Sequence, residues 1–101
     1  MRMIMLVQLP LEPFNSLVRG GTAGLTMKKL LEEMKPEAAY FTDRDGQRGA
    51  VLTVHVDSPS DVPRLAEPWF LNFNAKVEFR IAMTIDDLAK ADLDALGKKW
   101  G

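Results

Sequence analysis

The stretch AAYFTDRDGQRGAVLTVHV, residues 38–56, decides the fold. Residues 38–43 and 49–56 carry the β-branched and aromatic side chains that are typical of strands. Between them Asp45-Gly46 is a turn signal, and Gly49 follows close behind. The stretch therefore predicts a β-hairpin whose two strands are antiparallel.

On the N-terminal side of the hairpin, the sequence predicts a strand and then a helix. Residues 2–9 are apolar on both faces and are ended by Pro10 and Pro13, so they are predicted to be a strand. Residues 14–35 place Leu17, Gly21, Gly24, Met27, Leu31 and Met34 on one helical stripe, and Pro36 marks the end. Either this helix is continuous, or it breaks at Gly20-Gly21 and Thr22 caps a shorter one.

On the C-terminal side, the sequence predicts a helix, a strand and a last helix. Residues 62–73 have helical apolar spacing, with a kink or an early end expected at Pro68. Residues 75–83 alternate as a strand does. Thr84 and Asp87 then resemble a capping box, which predicts a last helix over residues 85–96.

The order of these elements predicts an α+β fold within one domain, residues 1–101. It is the β-α-β-β-α-β order of the ferredoxin-like plait, a four-stranded antiparallel sheet with two helices on one face, plus an extra C-terminal helix. Because strand one is apolar on both sides, the second sheet face needs a cover that a chain of 101 residues hardly supplies. We therefore expect a homodimer that forms through the open sheet face.

Composition argues against several classes of partner and site. Thirteen basic residues face fourteen acidic ones, for a formal net charge of −1, which argues against nucleic-acid binding. No apolar run is long enough for a membrane span, and the N-terminal run is too short for a secretory signal. The chain has no cysteine, and a single histidine without HxH or HxxxH spacing predicts no metal site. We expect a cytoplasmic protein without a cofactor.

Three residues are candidates for proton chemistry. His55 is the only histidine, on strand three, and its role is either a general base or a strand-end side chain bonded to a neighbour. Glu78 and Arg80 share the polar face of strand four. They are either the charged residues of an edge strand, or they meet His55 in a cavity where Arg80 holds a carboxylate or enolate.

Three other residues are candidates for lining a ligand pocket. Trp69 belongs to the largest apolar group of the chain, which either packs a helix on the sheet or, with Asn72 beside it, lines a ligand pocket. Tyr40 lies on strand two, where an aromatic ring packs in a core or an interface. Trp100 ends a C-terminal stretch that is more apolar than a free tail needs, and it is a candidate for docking on a second subunit.

The element order over residues 2–83 resembles the dimeric α+β barrel superfamily, which includes muconolactone isomerases, cofactor-free monooxygenases and haem-handling enzymes. The segments 12–15, 35–38, 45–50 and 66–70 also resemble short uncharacterised bacterial proteins, some of which are labelled "panthothenate synthetase". That label does not suit this chain, which has one histidine and no glycine-rich phosphate loop after a strand.

The sequence leaves three functions open. The first is a small-ligand-binding or accessory module, because no paired catalytic constellation is evident. The second is a cofactor-free isomerase or monooxygenase of small aromatic or polyketide-like molecules, which the resemblance implies. The third is a haem-handling protein, for which a histidine on strand three is an unusual axial ligand.

Overall fold

The computed structural model describes residues 1–101 as four strands and five helices. In chain order they are β1 (Arg2–Gln8), α1 (Leu11–Arg19), α2 (Ala23–Met34), β2 (Ala38–Arg44), β3 (Gln47–His55), α3 (Asp61–Phe73), β4 (Lys76–Ile81), α4 (Ile85–Ala91) and α5 (Leu93–Trp100).

The four strands form one antiparallel sheet in the order β2-β3-β1-β4. On the central strand, Leu6 pairs with Val51 of β3 on one side and with Glu78 of β4 on the other. The α+β class with a four-stranded antiparallel sheet is thus confirmed.

The predicted hairpin is present, and its turn explains the register. Asp45 and Gly46 both have positive φ, 51° and 76°. Two such residues form a type I′ turn, whose twist matches that of the flanking strands. The ladder therefore reaches into the turn, with Arg44 paired to Gln47, so both strands are longer at this end than predicted.

The predicted first helix is two helices, so the continuous alternative is wrong. Gly21 adopts a φ of 76°, which favours glycine and is incompatible with a regular helix. Thr22 occupies the N-cap position of α2, but its side chain forms no capping hydrogen bond. Helix α1 packs against both α2 and α3.

Helix α3 continues through Pro68 to Phe73, so the early end is not observed. Leu65, Trp69 and Phe73 lie on its inner face and are at most 1% exposed. Burying three such side chains stabilises the helix by about 5–9 kcal/mol. That exceeds the roughly 3 kcal/mol that a proline costs inside a helix.

The core lies between the sheet and helices α2 and α3. It is one cluster, to which β1 contributes Met5 and Val7, β3 contributes Leu52 and Val54, and α2 contributes Leu30. No polar or charged residue is buried. The other face of the sheet carries no helix, and its central residues Ile4, Leu6 and Val51 are partly exposed.

The predicted last helix is broken at Asp92, which has a φ of 52°. Its carboxylate accepts a hydrogen bond from the amide of Ala95 at 3.3 Å and so starts α5. The capping box of Thr84 and Asp87 is confirmed. Helices α4 and α5 extend away from the body, and the molecule measures 59 × 28 × 19 Å. None of its helices has both the length and the hydrophobicity needed to cross a bilayer.

Candidate functional site

The three residues predicted for proton chemistry lie on the open face of the sheet. His55 of β3 pairs with Arg2 of β1, whereas Arg80 and Glu78 of β4 pair with Ile4 and Leu6 on the other side of β1. Strand β1 therefore lies between His55 and the other two residues. The register thus brings them to one face, as the strand order implied.

Each of these side chains nevertheless binds a close neighbour in sequence. His55 Nε2 is 2.8 Å from Asp57 Oδ1, and Arg80 Nη2 donates to Glu78 Oε2 at 3.0 Å. Both pairs are more than half exposed. No three or more carboxylate, histidine or cysteine side chains lie close enough together to hold a metal ion. A shared cavity around His55, Glu78 and Arg80 is not formed by one chain.

The three residues predicted to line a pocket are placed apart. Trp69 is fully buried on the helical side of the sheet, where its Nε1 donates to Met34 Sδ at 3.2 Å. Asn72 is exposed and donates to the carbonyl oxygen of Pro68 in the same helix. Tyr40 is 70% exposed, and its register with Val51 places it on the open face. These three residues therefore do not share one surface.

A cleft that sequence reasoning missed lies between the α1–α2 corner and the hairpin. Its volume is about 390 Å³, within the range of small-molecule sites. Its walls are largely apolar, and nine residues line it: Leu9, Phe14, Ala23, Gly24, Met27, Phe41, Thr42, Arg48 and Gly49. We call it the corner cleft.

Two glycines shape the corner cleft. A Cβ at Gly49 would lie 2.8 Å from the carbonyl oxygen of Val7 and would collide with the Arg44 side chain, so only glycine lets these groups pack together. A Cβ at Gly24 would meet no atom within 4 Å. Gly24 thus leaves open the space beside Phe41, whose ring stays 54% exposed.

Arg48 is the one charged side chain of the corner cleft. Its guanidinium carbon lies 4.8 Å from the centroid of the Phe14 ring, and its Nη1 donates to Asn15 Oδ1 at 2.7 Å. These contacts hold the guanidinium in place, and no carboxylate oxygen lies within 4.0 Å of it. The cleft therefore combines an apolar interior with a fixed and uncompensated positive charge.

The nearest acid of α1 is engaged elsewhere. Glu12 accepts hydrogen bonds from the hydroxyl and the amide of Ser16, and it pairs with Arg19. The hydrogen bond from the Ser16 hydroxyl is the main cause that lowers the pKa of Glu12. Glu12 thus stays ionised at neutral pH without neutralising Arg48.

The sequence carried a partial signal for this cleft. The segments 12–15 and 45–50, which carry the resemblance to short bacterial proteins, meet where Arg48 binds Asn15. Mixed charge at a hairpin tip is typical of a solvated loop, however, so the hairpin arginines gave no indication of a site. The closeness of Phe14, Gly24 and Phe41 depends on the break at Gly21, which the sequence left open.

Comparison with known proteins identifies no family. No family model matches the chain, and no curated protein sequence does. One similar solved structure is the de novo designed protein Ferredog-Diesel, with 12% identity and a TM-score of 0.42, over 79% of this chain and 83% of that one. A likeness of this size carries no argument about family or function.

Proposed function

We propose that this chain is a binding module for a small, mainly apolar molecule that carries a carboxylate, and that the ligand occupies the corner cleft. The observation that carries the proposal is the apolar cavity of about 390 Å³ with the unpaired guanidinium of Arg48 at its edge. Aromatic acids suit such walls, because Phe14 and Phe41 offer ring faces and Arg48 binds a carboxylate through two parallel hydrogen bonds.

The experiment uses 2-naphthoate as the probe and 2-naphthalenemethanol as its uncharged counterpart, both by isothermal titration calorimetry. We expect the acid to bind about tenfold more tightly than the alcohol, since a charge-assisted hydrogen bond contributes about 1.5 kcal/mol or more. Arg48→Gln should remove that difference and leave binding of the alcohol unchanged.

A pair of glycine variants localises the binding. Gly24→Leu should fill the cleft and abolish binding of both compounds, because its side chain has open space there. Gly97→Leu is the matched control, since Gly97 is also a helical glycine with no atom within 4 Å of its Cβ position and lies in α5. Unaltered binding by Gly24→Leu would overturn the proposal.

We also propose that the fold is the ferredoxin-like plait and that two copies form a homodimer through the open sheet face. Support comes from the strand order β2-β3-β1-β4 and from the sheet face that no helix covers. The residues 85–100 are an addition to that plait.

A cofactor-free isomerase or monooxygenase is the second candidate function. The observation that favours it is the common face of His55, Glu78 and Arg80, which only a second copy would enclose. Because His55 is the only histidine, its acylation by diethyl pyrocarbonate tests enclosure directly. We expect the acylation rate to fall as protein concentration rises, and a rate independent of concentration would exclude an enclosed site.

A further inference from the structure

The two C-terminal helices, residues 84–100, form an arm that buries no residue against its own chain. Five large apolar side chains of the arm are 40–80% exposed: Ile85, Leu88, Leu93, Leu96 and Trp100. Their spacing of three and four residues places the side chains of each helix on one stripe of that helix. Across the break, Ile85, Leu88 and Leu93 line one shallow concavity. A solvated tail needs no such stripe, so the arm carries a surface that another surface should cover.

The direction of the arm is fixed where it leaves the sheet. The amide of Ala82 donates to the carbonyl oxygen of Arg2 at 3.2 Å, so the chain is still held by β1 two residues before the arm. At Thr84 the reciprocal hydrogen bonds with Asp87 then set the first turn of α4. Only Met83 lies between these two anchors, and in the structure the arm extends away from its own sheet.

The open sheet face is the second uncovered apolar surface of the molecule. Ile4, Leu6 and Val51 form its centre, and Tyr40 extends it toward the edge at β2. Basic side chains border this apolar centre: Arg2 at one end, and Arg80 and Lys76 on β4. Glu37 pairs with Arg2 and Glu78 with Arg80, so Lys76 is the border cation without a paired acid.

The first part of the arm is acidic. Between residues 85 and 94 it carries four aspartates and one lysine, whereas Lys98 and Lys99 lie at the far end of α5. Asp87 and Asp92 cap the two helices, which leaves Asp86 and Asp94 without a partner. An arm that lays Ile85, Leu88 and Leu93 on the sheet brings these two free carboxylates toward Lys76. Apolar stripe and charged border thus both match between the two surfaces.

We propose that the arm of one copy lies across the open sheet face of a second copy, and that the second copy's arm does the same in return. Each chain carries both surfaces, so a two-fold exchange covers both sheets and both arms and closes at two chains. This inference rests on the proposed homodimer and names the segment that forms its interface.

The first experiment is disulfide cross-linking between single-cysteine variants, since the chain has no cysteine of its own. Val51→Cys and Leu96→Cys are mixed in equal amounts and oxidised mildly, and we expect a cross-linked species of one chain of each type. Val51→Cys alone should yield little dimer. Efficient cross-linking of Val51→Cys alone means that the sheets face each other and overturns the inference. A cross-link within one chain of the double variant also overturns it.

The second experiment separates failure of the arm from failure of the dimer. By sedimentation equilibrium, Leu96→Glu should weaken dimerisation at least tenfold, whereas Lys98→Glu, on the polar side of α5, should change it less than twofold. Leu6→Lys places a cation opposite Glu78 and should also weaken the dimer. If Leu6→Lys weakens the dimer and Leu96→Glu does not, the sheet face pairs without the arm and the inference fails. A wild-type protein that remains monomeric contradicts the dimer itself.

Discussion

Asp61 connects the loop after β3 to the first turn of α3. Its Oδ2 accepts hydrogen bonds from the amides of Asp57 at 2.9 Å and Ser58 at 3.2 Å, and its Oδ1 accepts one from Arg64 at 3.3 Å. The two amides are the main cause that lowers the pKa of Asp61, and Arg64 adds to the effect. The loop that aims α3 at the sheet therefore depends on an ionised carboxylate.

We expect the free energy of unfolding to fall as the pH drops below about 4. A carboxyl whose pKa is lower in the folded state stabilises the fold above its unfolded pKa, and this stabilisation is lost as pH falls through the folded pKa. Asp61→Asn should lower the free energy of unfolding at pH 7. It should also lose less of that free energy between pH 7 and pH 3 than wild type does, as urea titrations at the two pH values would measure. Asp43→Asn is the control, because the Asp43 side chain forms no hydrogen bond or ion pair. Equal acid sensitivity of Asp61→Asn and wild type would contradict this role.

Trp69 occupies the core position of helix-on-sheet packing, which was one of its two predicted roles. It is fully buried, and its ring centroid is 5.9 Å from that of Phe73. We expect Trp69→Phe to lower the free energy of unfolding by about 1–3 kcal/mol, since it shrinks a core side chain and loses the contact with Met34. Binding of 2-naphthoate should stay within twofold. Asn72→Ala should change stability by less than about 0.5 kcal/mol, and a larger effect than that of Trp69→Phe would reverse this assignment.

At the scale of elements, the sequence predicted the existence and type of each strand and helix better than their continuity. The hairpin followed from Asp45-Gly46, because a type I′ turn requires positive φ at both positions and these residues adopt it readily. The break at Gly21 was one of two open alternatives. The break at Asp92 was missed, since hydrophobic spacing continues across it and aspartate adopts positive φ far less often than glycine.

The break at Asp92 yields a prediction about the shape of the arm. In Asp92→Ala the capping carboxylate is absent, and a positive φ costs alanine about 1–2 kcal/mol, so α4 and α5 should fuse into one helix. In Asp92→Gly positive φ is free of strain, and the break should remain. Cα chemical shifts of residues 90–94 distinguish the two cases. Non-helical shifts at position 92 in both variants would mean that another contact imposes the break.

At the scale of the whole molecule, the sequence predicted the uncovered sheet face but not the corner cleft. Strand one is apolar on both sides, and alternation along a strand assigns its residues to faces directly. The cleft instead depends on side chains of α1, α2 and β2 that approach one another only when the helices are packed. The spacing of apolar residues along the chain carries no information about how far apart two packed helices lie. For the same reason it does not predict the direction of the arm.

From the composition of the core we expect the arm to contribute nothing to the folding of a single chain. Every member of the core cluster lies between Met5 and Ala75. Residues 1–83 should therefore fold alone and unfold in one cooperative transition. Small-angle scattering of this folded fragment should give a radius of gyration of about 12 Å. The radius of gyration of the full chain is 17.1 Å, because the arm projects from the rest of the molecule.

Concentration then separates folding from assembly. At low micromolar concentration the two proteins should have the same Tm, because both are monomers with the same core. As concentration rises, mass action should raise the Tm of the full chain and leave that of residues 1–83 constant, if the arm joins two copies. A shortened chain that is unfolded at every concentration would show that the arm belongs to the folding unit. Parallel rises in Tm would place the whole interface within residues 1–83.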